Sequence, residues 1–302
     1  MTFSIVGQVG EGFGVAVASK FPFVGAVVPE VRPGVGAVAT QAMARVGYRS
    51  VALDALSSGR DAAEAVVACT SPDDERAHRQ LGIVGLDSQA TFTGDSCMDW
   101  AGGVSGREGT GGYAIQGNIL TGPEVVAAME SAWLGAAGAS LTDRLVAALL
   151  AGDAAGGDSR GRQGAALYAV LPGAGYDHCG VLADIRVDDH PDAPQELARL
   201  LRLNDLIFGG PEEVLPWTSG SDDASVPGDA SVPGDAGDAG DAGQTGGVAV
   251  EVSRRLAELG FHGEAAQALA SWAGEANYEM RLSPDGIDTK VLAALREATS
   301  DP

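Results

Sequence analysis

Thr2-Phe3-Ser4-Ile5-Val6-Gly7-Gln8-Val9-Gly10-Glu11-Gly12-Phe13-Gly14-Val15-Ala16-Val17-Ala18-Ser19-Lys20 decides how the rest of the chain is read. Thr2–Gln8 alternates, Gly10-Glu11-Gly12 supplies a turn, and Phe13–Ser19 is a second apolar run, so the stretch predicts a β-hairpin. Further strands follow the same way. Gly25–Val31 and Val35–Thr40 flank an Arg32-Pro33-Gly34 turn, and Gln80–Leu86 precedes Ala90–Thr93. Tyr113–Gln116, Ala165–Val170 and Leu182–Val187 complete the set. Helical periodicity marks Ser50–Ala55, Ala62–Cys69, Pro123–Trp133, Leu141–Leu150 and Pro194–Ile207. Strands in hairpins with helices between them imply an α+β domain, an antiparallel sheet covered by helices. There is no steady β-α-β alternation, which disfavours a doubly wound nucleotide-binding fold.

The chain of 302 residues carries 41 acidic and 19 basic side chains, a net charge of −22. Phosphate binding draws on clustered Lys and Arg, so a nucleic-acid partner is not expected. No apolar run approaches 18 uncharged residues, so no membrane partner is expected either. Ten acidic residues lie between Arg202 and Arg254, an interval without Lys or Arg. Its centre repeats Gly, Asp, Ala and Pro and cannot bury enough apolar surface to offset ordering, so residues 216–246 read as a flexible acidic linker. The linker divides a body, residues 1–215, from a small helical tail, residues 247–302. Cys69, Cys97 and Cys179 form no CxxC pair and read as buried free thiols. With no basic n-region or long apolar stretch at Met1-Thr2-Phe3, a cytoplasmic location is expected.

Thr2 carries the chemistry. Removal of Met1 would leave a free α-amine beside a hydroxyl at the start of a strand. Such an amine titrates near neutral pH and can take the hydroxyl proton without a histidine. The hairpin returns Ala18-Ser19-Lys20 alongside, and Lys20 is one of only two lysines in the chain. A cation there would lower the pKa of the amine and orient the nucleophile; the plainer alternative is a surface charge at a strand end.

MTFSIVG, GVAVASKFPFVGAVVP, GVGAVATQA, YAIQGNILTGPEVV, GGDSRGRQGAAL and DIRVDDHP, in this order over about residues 1–209, resemble the domain-of-unknown-function family 1028. The resemblance implies a four-layer αββα sandwich of the N-terminal-nucleophile (Ntn) hydrolase type and an amide hydrolase without a settled substrate. It also implies a strand-opening nucleophile, here Thr2, supported by a polar segment, here Ser19 and Lys20. Two departures stand out. No Asp falls at that segment, and a histidine often found after Trp100-Ala101-Gly102 is replaced by Gly103. The Trp100–Tyr113 stretch reads as a longer loop.

Other polar clusters have two readings each. Asn118, with a backbone N–H, suits an oxyanion hole or simply caps a turn. Gln41 and Gln116 would face the same pocket or satisfy strand ends. Arg160 and Arg162 beside glycines suit a carboxylate substrate, or pair with Asp158 or Asp184 as structure. Asp188-Asp189-His190 alternates across a strand, which argues against a metal site. The tail resembles a peptidoglycan-binding-like domain in Trp272, Glu275–Glu279 and Asp285–Asp288, and its aromatics would stack on sugars or fill its own core. The expected function is an Ntn amidohydrolase acting on a small amide or peptide-like compound, with no cofactor and with a homo-oligomer expected of such sheets. The rival is a silent Ntn-like scaffold for binding or assembly, its tail engaging a glycan or a protein.

Overall fold

The computed structural model describes residues 2–109, 111–217 and 247–300. The chain forms two compact units, Met1–Leu203 and Asn204–Pro302. Most of the acidic linker expected from the sequence lies outside the described residues.

The first hairpin forms as read. Strands β1 (Thr2–Val9) and β2 (Gly12–Ser19) pair antiparallel across a two-residue connection in which Gly10 takes a positive φ. A single helical turn, α1 (Val24–Val27), precedes β3 (Pro29–Arg32) and β4 (Gly36–Ala42), so the second hairpin starts later than the Gly25–Val31 run suggests. Packing explains the shift. A Cβ on Gly25 would come within 2.6 Å of the Ala166 Cβ, so only a bare backbone passes there.

Helices α2 (Tyr48–Ser57) and α3 (Ala62–Thr70) follow, the second opened by a capping box between Asp61 and Glu64. Strands β5 (Arg79–Gly85) and β6 (Gln89–Thr93) come next. The presumed loop after Trp100 is instead strand β7 (Trp100–Glu108), hairpinned to β8 (Gly111–Leu120). Its glycines read as loop residues locally, but they serve contacts across the sheet. A Cβ on Gly103 would lie 2.6 Å from Thr91 Oγ1, and one on Gly106 2.4 Å from the Tyr113 hydroxyl. Then come α4 (Glu124–Gly135), α5 (Leu141–Ala154), β9 (Gly164–Val170), β10 (Val181–Val187) and α6 (Ala193–Phe208).

Two antiparallel sheets result, ordered β10-β9-β2-β1-β8-β7 and β3-β4-β5-β6. Strand alternation splits β1 between two environments. Phe3 and Ile5 join Met129, Trp133, Leu145 and Leu149 in a cluster under α4 and α5. Val6 joins Val15 and Val17 of β2, Ala37 and Ala39 of β4 and Val84 of β5 in a cluster shared by both sheets. A third cluster seats α2 and α3 through Tyr48, Leu53, Ala65 and Cys69 on Val38, Leu81 and Ile83. Each large side chain so buried contributes about 1.5–3 kcal/mol relative to exposure. Gly7 and Gly14 face each other across β1 and β2. A Cβ on either would come within 2.6 Å of Trp133 or Leu145, so the pair lets α4 and α5 approach the sheet.

The second unit holds the end of α6, strand β11 (Val214–Pro216), helices α7 (Val248–Glu258) and α8 (Ala265–Ala276), strand β12 (Gly286–Asp288) and α9 (Thr289–Ala298). β11 pairs antiparallel with β12, so residues from both sides of the acidic repeat build one small sheet. Its core gathers Val252, Leu256, Leu269, Trp272, Ile287, Val291 and Leu295. Trp272 is buried there, with Tyr278 edge-on at 5.4 Å, so the aromatics fill the core.

Between helices, Glu251 is held well below the usual carboxylate range by Arg296 and Arg255, its pKa falling from 4.5 to about 2. A depressed carboxylate stabilises the fold above its unfolded pKa and loses that contribution as pH falls through the folded value. Acid titration from pH 4.5 to 2 should therefore weaken α7–α9 packing. Glu251→Gln should flatten that slope, as followed by Trp fluorescence.

The free thiols differ from expectation. Cys69 is buried, which pushes its pKa up to about 12, whereas Cys97 is partly exposed and Cys179 exposed.

Candidate functional site

The layer shared by the two sheets is apolar through its middle and carries a connected polar network at the end where β1 begins. On β1 the positions between the apolar ones are Thr2 and Ser4, both buried. Across the pairing of β1 with β8, Thr2 faces Asn118 and Ser4 faces Gln116. Ser19, at the end of β2, brings its Oγ 3.1 Å from Thr2 Oγ1, and either hydroxyl can donate. Gln41 is the next-to-last residue of β4, and Gln80 stands beside it on β5.

These side chains form one connected network. Gln41 Nε2 donates to the Thr2 carbonyl at 3.2 Å, and Asn118 Nδ2 donates to the same oxygen at 3.4 Å. Ser4 Oγ donates to Gln41 Oε1 at 2.6 Å and accepts from Gln116 Nε2 at 2.6 Å. Gln80 Oε1 accepts from Gln41 Nε2 at 2.7 Å and from Asn118 Nδ2 at 3.0 Å. Buried amides left unpaired are costly, and here each finds partners. Gly82 makes the room, since a Cβ there would fall 2.1 Å from Gln116 Oε1.

Backbone strain gathers at the same end. Seven non-glycine residues among those described have positive φ, and four of them flank this site: Phe23 after β2, Ala42 ending β4, Asp99 before β7 and Ile119 in β8. Ile119 is β-branched, for which a left-handed φ of 50° is a genuine departure. It forms a bulge: Trp100 pairs with Leu120 and Ala101 with Asn118, leaving Ile119 unmatched immediately after Asn118. Such strain costs about 1–3 kcal/mol each and concentrates at functional sites.

The remaining candidates lie beside the network. The Lys20 peptide N–H donates to Asp158 Oδ2 at 2.8 Å, and its exposed Nζ donates to the Arg162 carbonyl at 3.1 Å. Arg160 pairs with buried Asp158 at 3.0 Å, and Arg162 with Asp153 at 2.7 Å and Asp192 at 3.1 Å. A cavity of about 300 Å³ opens here, walled by Phe3, Ser19, Asp153, Asp158 and Arg162 among others. Ser19 thus touches both Thr2 and the cavity. Asp188, Asp189 and His190 have separate partners, namely Arg186, Gln163 and the Asp192 N–H.

Gln80, which no motif marks, and Ser4, which lies within MTFSIVG without a role read for it, are members of the site that sequence reading did not single out. Their signal is a polar residue in a strand buried on both faces, which becomes visible only once the second sheet is known to cover the first.

Residues 2–197 match a family described as "Family of unknown function (DUF1028)". Residues 236–295 match a second family described as "Putative peptidoglycan binding domain". Among curated proteins nothing matches. Among solved structures, the crystal structure of protein SPO2555 from Silicibacter pomeroyi, assigned to DUF1028, is similar with 30% identity and a TM-score of 0.59. The match covers 68% of this chain and 89% of that one. No helix among the described residues is long and apolar enough to cross a membrane. By sequence over most of its length, and by its fold, the chain belongs to the DUF1028 family of unknown function.

Proposed function

We propose that Thr2, once Met1 is removed, is the nucleophile of an Ntn-type amidohydrolase acting on a small amide or peptide-like compound. The observation that carries this is the placement of the Thr2 hydroxyl 3.1 Å from Ser19, on a residue whose carbonyl is gripped by two buried amides. Two face-to-face sheets with a helix pair packed on each support the αββα sandwich that this chemistry uses elsewhere.

In this reading the freed α-amine takes the Oγ proton as Oγ attacks the amide carbonyl carbon. The tetrahedral intermediate collapses when its C–N bond breaks and the amine returns the proton to the leaving nitrogen. Water, deprotonated by the same amine, then attacks the threonyl ester and releases the acid. Ser19 is the hydroxyl next to this proton path. Lys20 acts by anchoring the 158–162 turn to the end of β2. Asn118 has its amide on Thr2 and Gln80, so it orients the nucleophile and leaves the oxyanion to a backbone N–H at the strained strand ends. Gln41 and Gln116, fully engaged, support it from behind. Arg162 offers the cavity a guanidinium for a substrate carboxylate, with Arg160 steadying the wall through Asp158. No cofactor enters these steps. The tail binds a glycan or a protein partner, by a surface other than the buried face of Trp272.

Intact-mass analysis of natively expressed protein tests the premise. The mature chain should begin at Thr2; retained Met1 removes the amine base and ends the proposal in favour of a silent scaffold.

A further inference from the structure

Gln80 is fully buried, belongs to no motif, and holds the centre of the polar layer. Its Oε1 accepts from Gln41 Nε2 and Asn118 Nδ2, the two groups that also donate to the Thr2 carbonyl. Its Nε2 donates to the Gly117 carbonyl at 2.7 Å, Thr93 Oγ1 at 2.9 Å and the Gly102 carbonyl at 3.2 Å. This orientation is fixed by chemistry. Flipping the amide would set oxygen against two carbonyls and nitrogen against two NH2 groups. Gln41 Nε2 has three acceptors within reach, Thr2 O, Gln80 Oε1 and Gln116 O, but only two hydrogens. The short bond to Gln80 therefore decides where the other hydrogen points.

The middle of the same layer is apolar, built from Val6, Val15, Val17, Ala37, Ala39 and Val84, with Gln8 beyond it bonded to Gly10 and Arg107. A buried amide cluster costs more to assemble than such packing unless every member is paired, and it specifies one geometry when it is. Among the described residues, the connected amide cluster of this layer sits behind Thr2.

Resting on the Thr2 reading, we propose that Gln80 is a positioning residue for the nucleophile. It aims the Gln41 and Asn118 amides at the Thr2 carbonyl, and so fixes the Thr2 peptide plane and the direction of its Oγ and α-amine.

A small β-lactone probes this in the full-length chain. Thr2 Oγ attacks the lactone carbonyl, the ring C–O bond breaks, and the Oγ proton passes to the released alkoxide, so the protein gains the whole lactone mass. Intact-mass kinetics give a rate constant and an endpoint. Gln80→Leu should lower the rate constant about tenfold or more while reaching the wild-type endpoint. Gln80→Glu keeps the shape and the accepting oxygen and, held as the neutral acid by burial, can still donate one hydrogen to the Gly117 carbonyl, so it should recover part of the rate. A purely structural role would instead lower the endpoint, as fewer molecules fold, and leave the rate constant of the folded fraction unchanged. A Gln80→Leu rate within about twofold of wild type, a loss confined to the endpoint, or a folded Gln80→Glu that reacts no faster than Gln80→Leu each overturns the assignment. Wild-type protein that resists the lactone at Thr2 overturns the underlying Thr2 reading, a result distinct from variants that react as fast as a reactive wild type.

Discussion

Thr2→Ala is expected to lower amide turnover, and acylation at the N-terminus, by at least about 10³-fold while leaving the fold intact. The size follows from what is lost. In the proposed mechanism no covalent intermediate forms without Oγ, and neither Ser19 nor the α-amine can replace it, because Thr2 opens β1 and its backbone is held by pairing with Asn118. The stability cost should stay near 1 kcal/mol, since the variant forfeits one hydroxyl contact with Ser19 and keeps the Thr2 carbonyl bonds to Gln41 and Asn118. Thermal denaturation alongside kinetics separates the two effects. Full turnover of any amide by Thr2→Ala would assign that activity elsewhere, and a wild-type protein inert to all amides and lactones would favour the scaffold reading. Ser19→Ala should fall between, slowing acylation without abolishing it.

Arg281→Ala is expected to unfold the second unit. The Arg281 side chain is wholly buried and bonds the Asp205 carbonyl at 2.9 Å, the Gly210 carbonyl at 2.8 Å and the equally buried Asp288 at 3.3 Å. It also pairs with Asp205 Oδ2 at 3.0 Å. Removing it strands a buried carboxylate and two carbonyls, and breaking a buried pair from one side costs about 3–5 kcal/mol. A unit with one small core has little more than that in reserve. Asp288 also caps α9 and accepts from the Glu212 N–H beside β11, so the loss reaches both halves of the small sheet. Trp272 fluorescence in urea should show an early transition absent from wild type. A variant with unchanged transitions would mean that Lys290, which pairs with Asp205 and Glu212, suffices to hold this junction.

These two residues show how differently the chain discloses itself. Thr2 is legible as a candidate because its chemistry needs only its position after Met1 and a returning strand. Arg281 carries no local mark, for apart from Asp288 its partners lie about 70 residues earlier, beyond the acidic repeat. The tail's helices were readable by periodicity, but the contribution of Val214–Pro216 to its sheet was not, since three residues have no period. Arg160 and Arg162 were readable as a cationic pair among glycines. That both meet carboxylates while only Arg162 walls the cavity depends on Asp153, Asp192 and the start of α6.

The sequence by itself determined the hairpin that opens the fold, the helices with an apolar stripe, and the family. Each of these rests on local alternation, turn chemistry or an ordered set of motifs. Only the tertiary structure decided which polar residues form the site. A strand's alternation says that Thr2 and Ser4 share a face, but not whether that face meets water or another sheet. Once β4 and β5 cover it, Gln41, Gln80, Gln116 and Asn118 must satisfy one another in a space closed to solvent. The geometry of Thr2 is fixed by that requirement.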